Sequence, residues 1–289
     1  MMAGKTARSG FSEHFLTSFD GTRLYFRRYG SVQASRTILC LAGMARSSSD
    51  YHELATLLSR RNLVICPDYR GVGRSQRPRN LGSYSPQGWL GDIRALLASL
   101  NAHKVVFIGT SFGGLLAAAM AVAAPTTVAG AVLNDIGPEF GDNALGLVSS
   151  HIGRFRRFPS LDDAVDYMKS AFPDMPARTE EEWRRITENT FREENGAYVN
   201  NWDPAIGKVL IGMRRERMDL WPLFYALARF PILAFRGEKS ELLSAETFER
   251  MNRRLAGIKG VTVSDVGHAP DLAKPDWVET IEGFLEELS

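Results

Sequence analysis

Between Val105 and Ala121 the chain reads VVFIGTSFGGLLAAAMA: an apolar run, a Gly-Thr-Ser-Phe-Gly-Gly turn, then an alanine-rich run. Val105–Ile108 is apolar without alternation, as in a strand covered on both faces. The alanine-rich run is apolar all round, as in a buried helix, and Ala117, Ala118 and Ala119 let it approach a sheet closely. A buried strand that turns sharply into a buried helix belongs to a layered α/β structure. In so tight a turn, side chains flanking Ser111 would collide, which accounts for glycine at 109 and 113.

The same alternation runs through most of the chain. Strands are expected at about 13–18, 23–29, 37–41, 63–67, 105–109, 129–134, 231–236 and 261–266. The first two alternate in polarity and are joined by "FDGT", a hairpin signal. The later ones are continuous apolar runs, as in a parallel sheet. Helical segments separate them, with Ser49 or Asp50 as an N-cap before Leu54, Leu57 and Leu58, and Pro86 in the first turn of the next. Between about Gly137 and Phe230 no strand is expected; "LDDAVDYMKSAF", "RTEEEWRRITENTF" and "ERMDLWPLFYALARF" are helical in character. So long a segment is not a structureless loop inside a compact domain. The expected division is an α/β core in two parts, 1–137 and 230–289, interrupted by a helical cap over 138–229. A chain of 289 residues that is 44% hydrophobic has the material for such a core.

Charge excludes little but points away from polyanions. Lysine and arginine exceed the acidic residues by only two, with both signs interspersed, so neither nucleic acid nor an anionic membrane is called for. Arg154, Arg156 and Arg157 form one local basic patch, read as a solvated helix face. Cys40 and Cys66 lie in apolar strand runs, without metal or redox spacing, and are read as core residues. No apolar window is long enough to span a membrane, and the N-terminal residues lack a secretory apolar stretch. A cytoplasmic setting follows as the expectation, with a small-molecule substrate as partner; a homo-oligomer is compatible with the chain.

Gly109-Thr110-Ser111-Phe112-Gly113 fits G-x-S-x-G in the strand-to-helix context that makes the pattern meaningful. Such a turn holds the Ser111 hydroxyl above the sheet, at the positive end of the following helix. Without that role, Ser111 would merely cap the helix. A nucleophilic serine needs a base. Of His14, His52, His103, His151 and His268, only His268 follows directly on a strand, in "VSDVGHAP", at the carboxyl edge where functional groups of parallel sheets gather. The base in turn needs a carboxylate. Glu241 in "RGEKSELLS" is the first choice and Asp135 in "VLNDIG" the alternative, ahead of Asp265, Glu238 and Asp271. Donors for a developing oxyanion would be the amides of Phe112, which follows the serine, and Met44, in the loop where Gly43 permits close approach.

Taken together, "LAGMARSSSDYHELATLL", "CPDYRGVGRSQRP", "GTSFGG", "RGEKSELLS" and "VGHAP" resemble the α/β-hydrolase superfamily over essentially the whole chain. Within the second segment, Asp68, Arg70, Gly71, Gly73 and Ser75 match the family's D-x-R-G-x-G-x-S stretch. The resemblance implies an eight-stranded, mostly parallel, twisted sheet flanked by helices, with the cap between strands six and seven and the order serine, acid, histidine. Two departures stand out: Ala42 where many members carry histidine before the glycine, and Glu241 where aspartate is commoner. A serine rather than an aspartate nucleophile argues against the haloalkane-dehalogenase and epoxide-hydrolase branches. The expected chemistry is hydrolysis of a small or medium carboxylic ester or lactone through an acyl-enzyme, with no metal or organic cofactor. The alternatives are carbon–carbon bond hydrolysis of a diketone-like ring-fission product, and a non-catalytic small-molecule receptor on the same fold. Phe155, Phe158, Tyr167, Phe172, Trp202, Trp221 and Phe224 would pack within the cap or line its pocket.

Overall fold

The computed structural model describes residues 10–140, 144–177, 179–209 and 219–288. The polarity-alternating runs form a hairpin, β1 (Ser12–Thr17) and β2 (Arg23–Tyr29), at one edge of the main sheet. β3 (Thr37–Leu41), β4 (Leu63–Pro67), β5 (Val105–Thr110), β6 (Val128–Asn134) and, farther along the chain, β10 (Ile232–Gly237) are almost entirely buried, because helices cover both faces. β11 (Ile258–Val263) closes the other edge and is more exposed. The order is β1-β2-β4-β3-β5-β6-β10-β11. β1 and β2 are antiparallel to their neighbours and the rest are parallel. The last strand ends three residues before the sequence pattern does: Val266 is buried in the loop beyond, where its carbonyl accepts the Lys239 amide at 2.9 Å.

Two apolar layers sandwich the sheet. Below it, α1 (His52–Leu58) and the C-terminal α9 (Pro275–Glu287) bury Leu54, Leu58, Ile281 and Phe284 against Val64, Val106 and Phe235. A 3₁₀ turn, Ser48–Tyr51, precedes α1 and is capped by Ser47 instead of Ser49 or Asp50. Above the sheet lie α2 (Pro86–Ser99), α3 (Phe112–Ala123), α7 (Trp221–Leu227) and α8 (Ala245–Arg254). Their Trp89, Leu116, Phe224 and Met251 join one core. Each such side chain fully withdrawn from water contributes about 1.5–3 kcal/mol. Ala117 and Ala118 are completely buried, which lets α3 lie against the sheet at its centre.

Between β6 and β10 the chain forms α4 (Ala144–Ile152), α5 (Leu161–Ala171), capped by Ser160, and α6 (Glu180–Thr190), capped by a Thr179–Glu182 capping box. The expectation of helices alone is corrected here. β7 (Arg157–Phe158), β8 (Phe191–Glu194) and β9 (Ala197–Asn200) form a three-stranded antiparallel sheet in the order β7-β9-β8. Asn195 (φ 52°) and Gly196 (φ 73°) make the two-residue β8–β9 turn, both in the left-handed region that such a turn requires. The strands are too short to show a period, whereas Asn-Gly is the local signal that marks them.

Register places the site. Leu41 pairs with Gly109, Thr110 with Asn134, and Asn134 with Phe235. The carboxyl ends of β3, β5, β6 and β10 therefore align, and the residues that follow them emerge along one edge.

Candidate active site

Ser111 sits between β5 and α3 at φ 53°, ψ −120°. Holding a non-glycine residue there costs about 1–3 kcal/mol, which the surrounding packing must offset. A Cβ built on Gly113 would stand 1.9 Å from the Leu41 carbonyl oxygen, and one on Gly109 would stand 2.5 Å from the Gly113 carbonyl carbon. The turn thus admits no side chain at either position. Ser111 makes no side-chain capping bond to the helix, so its hydroxyl is not there to satisfy α3. Its own amide is held by the Asn134 carbonyl at 2.9 Å.

Asp135 is the residue after β6. It is fully buried, at φ 54°, with its amide bonded to the Phe235 carbonyl at 2.8 Å. Its Oδ1 accepts the Gly237 amide at 3.0 Å. Its Oδ2 accepts the Ser240 hydroxyl at 2.5 Å and faces His268 Nδ1 at 2.7 Å. The His268 loop is fastened on both sides. Asn134 Nδ2 donates to the Pro270 carbonyl at 2.9 Å, and the Gly267 amide donates to the Asp174 carbonyl at 3.0 Å.

The carboxylate brought to the imidazole is thus Asp135, the alternative, and not Glu241. Glu241 is exposed in the loop after β10 and does not line the cavity described below. The physical reason lies one residue earlier. Ser240 turns inward and donates to Asp135 while accepting the Leu242 and Leu243 amides at 3.2 and 3.1 Å, so this loop supplies a hydroxyl where a carboxylate was expected. Glu238 accepts the Asp265 amide at 2.9 Å, and Asp265 pairs with Lys239 at 3.1 Å at the surface. Asp271 lines the cavity rim and caps the Ala273 amide at 3.0 Å.

Ala42, Gly43 and Met44 follow β3. A Cβ on Gly43 would lie 3.8 Å from Ser111 Cβ, which brings this loop against the serine. Ala42 leaves no histidine to support it; two buried tyrosines do so instead. Tyr69 donates to the Ala42 carbonyl at 2.8 Å, and Tyr51 to the Leu41 carbonyl at 3.2 Å. Burial pushes both phenols well above their ordinary range, so they stay neutral donors. Phe112 is the first residue of α3, where no carbonyl within the helix reaches its amide.

Ser111, His268, Met44 and Phe112 all line one cavity of about 470 Å³. The core forms its floor. Val148, His151, Ile152, Met168, Phe172 and Ile186 line it from the inserted segment. Arg46 joins the two parts: it grips Asp50 through two bonds of 2.6 Å and donates to Thr190 at the end of α6. Lys274 to Glu182 at 2.8 Å and Arg185 to Glu53 add further ties. His14 pairs with Ser12 at 2.8 Å, His103 with Asn101 at 3.1 Å, and His52 with Tyr29 at 3.2 Å. Tyr51, Tyr69, Ser240 and His151 had no signal in the sequence that tied them to this site.

Among the described residues, no three histidine, cysteine or acidic side chains converge to hold a metal ion. Nor is any described helix long and apolar enough to cross a membrane.

Residues 36–274 match the family described as alpha/beta hydrolase fold. A 3-hydroxybutyrate-oligomer hydrolase of Cupriavidus necator is 29% identical over 272 residues, 91% of this chain and 92% of that protein. An esterase of Mycobacterium tuberculosis is 27% identical over 231 residues, 77% of this chain and 74% of that one. The crystal structure of an alpha/beta hydrolase from Novosphingobium aromaticivorans superposes with a TM-score of 0.91 at 35% identity, covering 97% of this chain and 99% of that one.

Proposed function

The chain belongs to the alpha/beta hydrolase fold family, and from that premise we propose that it is a serine hydrolase cleaving small or medium carboxylic esters or lactones through an acyl-enzyme on Ser111. The observation that carries the proposal is the 2.7 Å contact between His268 and buried Asp135, at a cavity that the uncapped Ser111 also lines.

The carboxylate holds the Nδ1 proton of His268, so Nε2 is the free base. Nε2 takes the Ser111 proton as Oγ attacks the ester carbonyl. The Met44 and Phe112 amides donate to the oxyanion that forms. Buried Asp135 stabilises the imidazolium, which passes its proton to the departing alcohol. Water then enters, gives a proton to Nε2 and attacks the acyl-enzyme, and the acid leaves as Ser111 regains its proton. The inserted residues 144–177 and 179–209 act as the cap, narrower than the expected 138–229 because α7 packs with the core. They limit acyl and alcohol size and keep bulk water from the intermediate.

Hydrolysis of p-nitrophenyl acetate, butyrate and hexanoate, beside a lactone panel, tests the reading. Ser111→Ala and His268→Ala should each lower kcat by about 10⁴-fold or more while melting like the parent. Unchanged turnover in either variant contradicts it. So does fast cleavage of a ring-fission dienone with negligible ester turnover, or ligand binding with no turnover at all.

A further inference from the structure

His151, in α4 of the inserted segment, lines the cavity that Ser111 and His268 line from the core, yet the mechanism above does not use it. Its Nδ1 is 2.8 Å from the Tyr167 hydroxyl. A phenol is the stronger donor of the two and an imidazole nitrogen the stronger acceptor, so the proton on this contact belongs to tyrosine. Arg156 sits 4.7 Å over the Tyr167 ring, and its charge opposes a second proton on the histidine. With Nδ1 accepting, the ring's remaining proton is on Nε2. Nε2 has no hydrogen-bond partner among the described residues, and the residue lines the cavity. The ring is fixed on its other sides, stacked on Tyr167 and edge-on to Phe172 at 4.7 Å. Burial, with Arg156 and Arg46 nearby, pushes its pKa down to about 3, so it faces the cavity uncharged at neutral pH.

Among the described residues, three arginines line the cavity, and Arg27 donates to the Ser49 hydroxyl at 2.8 Å and lies over the Phe11 ring. Arg46 is held in two bonds to Asp50, and Arg185 is paired with Glu53. His151 itself, uncharged, offers an anionic group no counter-charge, whereas a neutral oxygen would find a donor there.

We propose that His151 is a specificity residue whose Nε2–H receives a second, uncharged oxygen of the substrate, so that preferred esters carry a hydroxyl, keto or ether oxygen beyond the scissile carbonyl. This rests on the serine-hydrolase reading. A bare alkyl chain would leave the donor unpaired in an apolar pocket, and that penalty discriminates.

The test compares kcat/KM for ethyl butyrate with that for ethyl 2-hydroxybutyrate, 3-hydroxybutyrate, 3-oxobutyrate and methoxyacetate, and for monoethyl succinate. The parent should favour at least one oxygenated neutral ester by about tenfold over ethyl butyrate and disfavour the succinate, with the preference residing mainly in KM. His151→Leu should bring that ratio to about one, Tyr167→Phe should weaken it, and His151→Gln, which keeps a donor, should retain part of it. No preference in the parent, a preference that survives His151→Leu, or a preferred succinate monoester overturns the proposal. Fluorophosphonate labelling run on the same preparation separates the two levels. A labelled Ser111 without preference overturns only the role of His151; no labelling and no turnover removes the serine-hydrolase reading with it.

Discussion

Replacing Asp135 with asparagine exchanges one oxygen for an amide at the most buried point of the site, and the structure dictates which one. Oδ1 accepts the Gly237 amide at 3.0 Å, so the asparagine oxygen must stay there. The new NH₂ then occupies the place of Oδ2, 2.7 Å from His268 Nδ1. It can only donate, so Nδ1 must accept and the imidazole proton moves to Nε2, facing the cavity. A histidine in that form cannot take a proton from Ser111. The lost bond would join a carboxylate to an imidazolium in the transition state, worth about 1.5–3 kcal/mol. Restoring the productive tautomer against the new NH₂ costs a similar amount. Together these approach about 5 kcal/mol, or a fall in kcat on the order of 10⁴. Glu241→Gln, at an exposed position, should stay within about twofold. The assay is steady-state hydrolysis of p-nitrophenyl butyrate at pH 7.5, with thermal melts to show that both variants fold. An Asp135→Asn enzyme within tenfold of the parent, or a collapse in Glu241→Gln instead, contradicts the pairing of Asp135 with His268.

Two further outcomes follow from the packing. Gly113→Ala places a methyl group where a Cβ stands 1.9 Å from a backbone oxygen, so urea denaturation should show a loss of about 2–4 kcal/mol; an unchanged midpoint contradicts the turn's geometry. His151 has a folded pKa of about 3 against an ordinary 6.5, so the unfolded chain binds the proton first. Its contribution to stability is complete above pH 6.5 and is lost as pH falls towards 3, by at most about 1.4 kcal/mol per unit. Between pH 7.5 and 5, the parent should therefore lose more stability than His151→Leu; equal losses would show that His151 is not held neutral.

The sheet could be read from sequence because β3, β4, β5, β6 and β10 are buried on both faces and so appear as uninterrupted apolar runs. Positions 111 and 268 were legible for a related reason: Ser111 directly follows β5 and His268 lies in the loop after β11, and the aligned strand ends bring both to one cavity. Choosing between Asp135 and Glu241 required knowing which loop turns inward. That depends on Asp135 adopting φ 54° and on Ser240 folding back, neither of which has a one-dimensional signature. The Asn195-Gly196 turn was legible in principle, but the charged helix-like flanks of "REENGAY" outweighed it. The His151–Tyr167 pair joins two separate helices, and no spacing rule reaches across that distance.

The proposed mechanism makes Ser111 an activated nucleophile, and intact-mass spectrometry after fluorophosphonate treatment tests that role without any choice of substrate. The expected result is one adduct per chain, mapped to Ser111, absent from Ser111→Ala and formed far more slowly in Asp135→Asn. An unmodified parent protein, or equal labelling of Ser111→Ala, would contradict it.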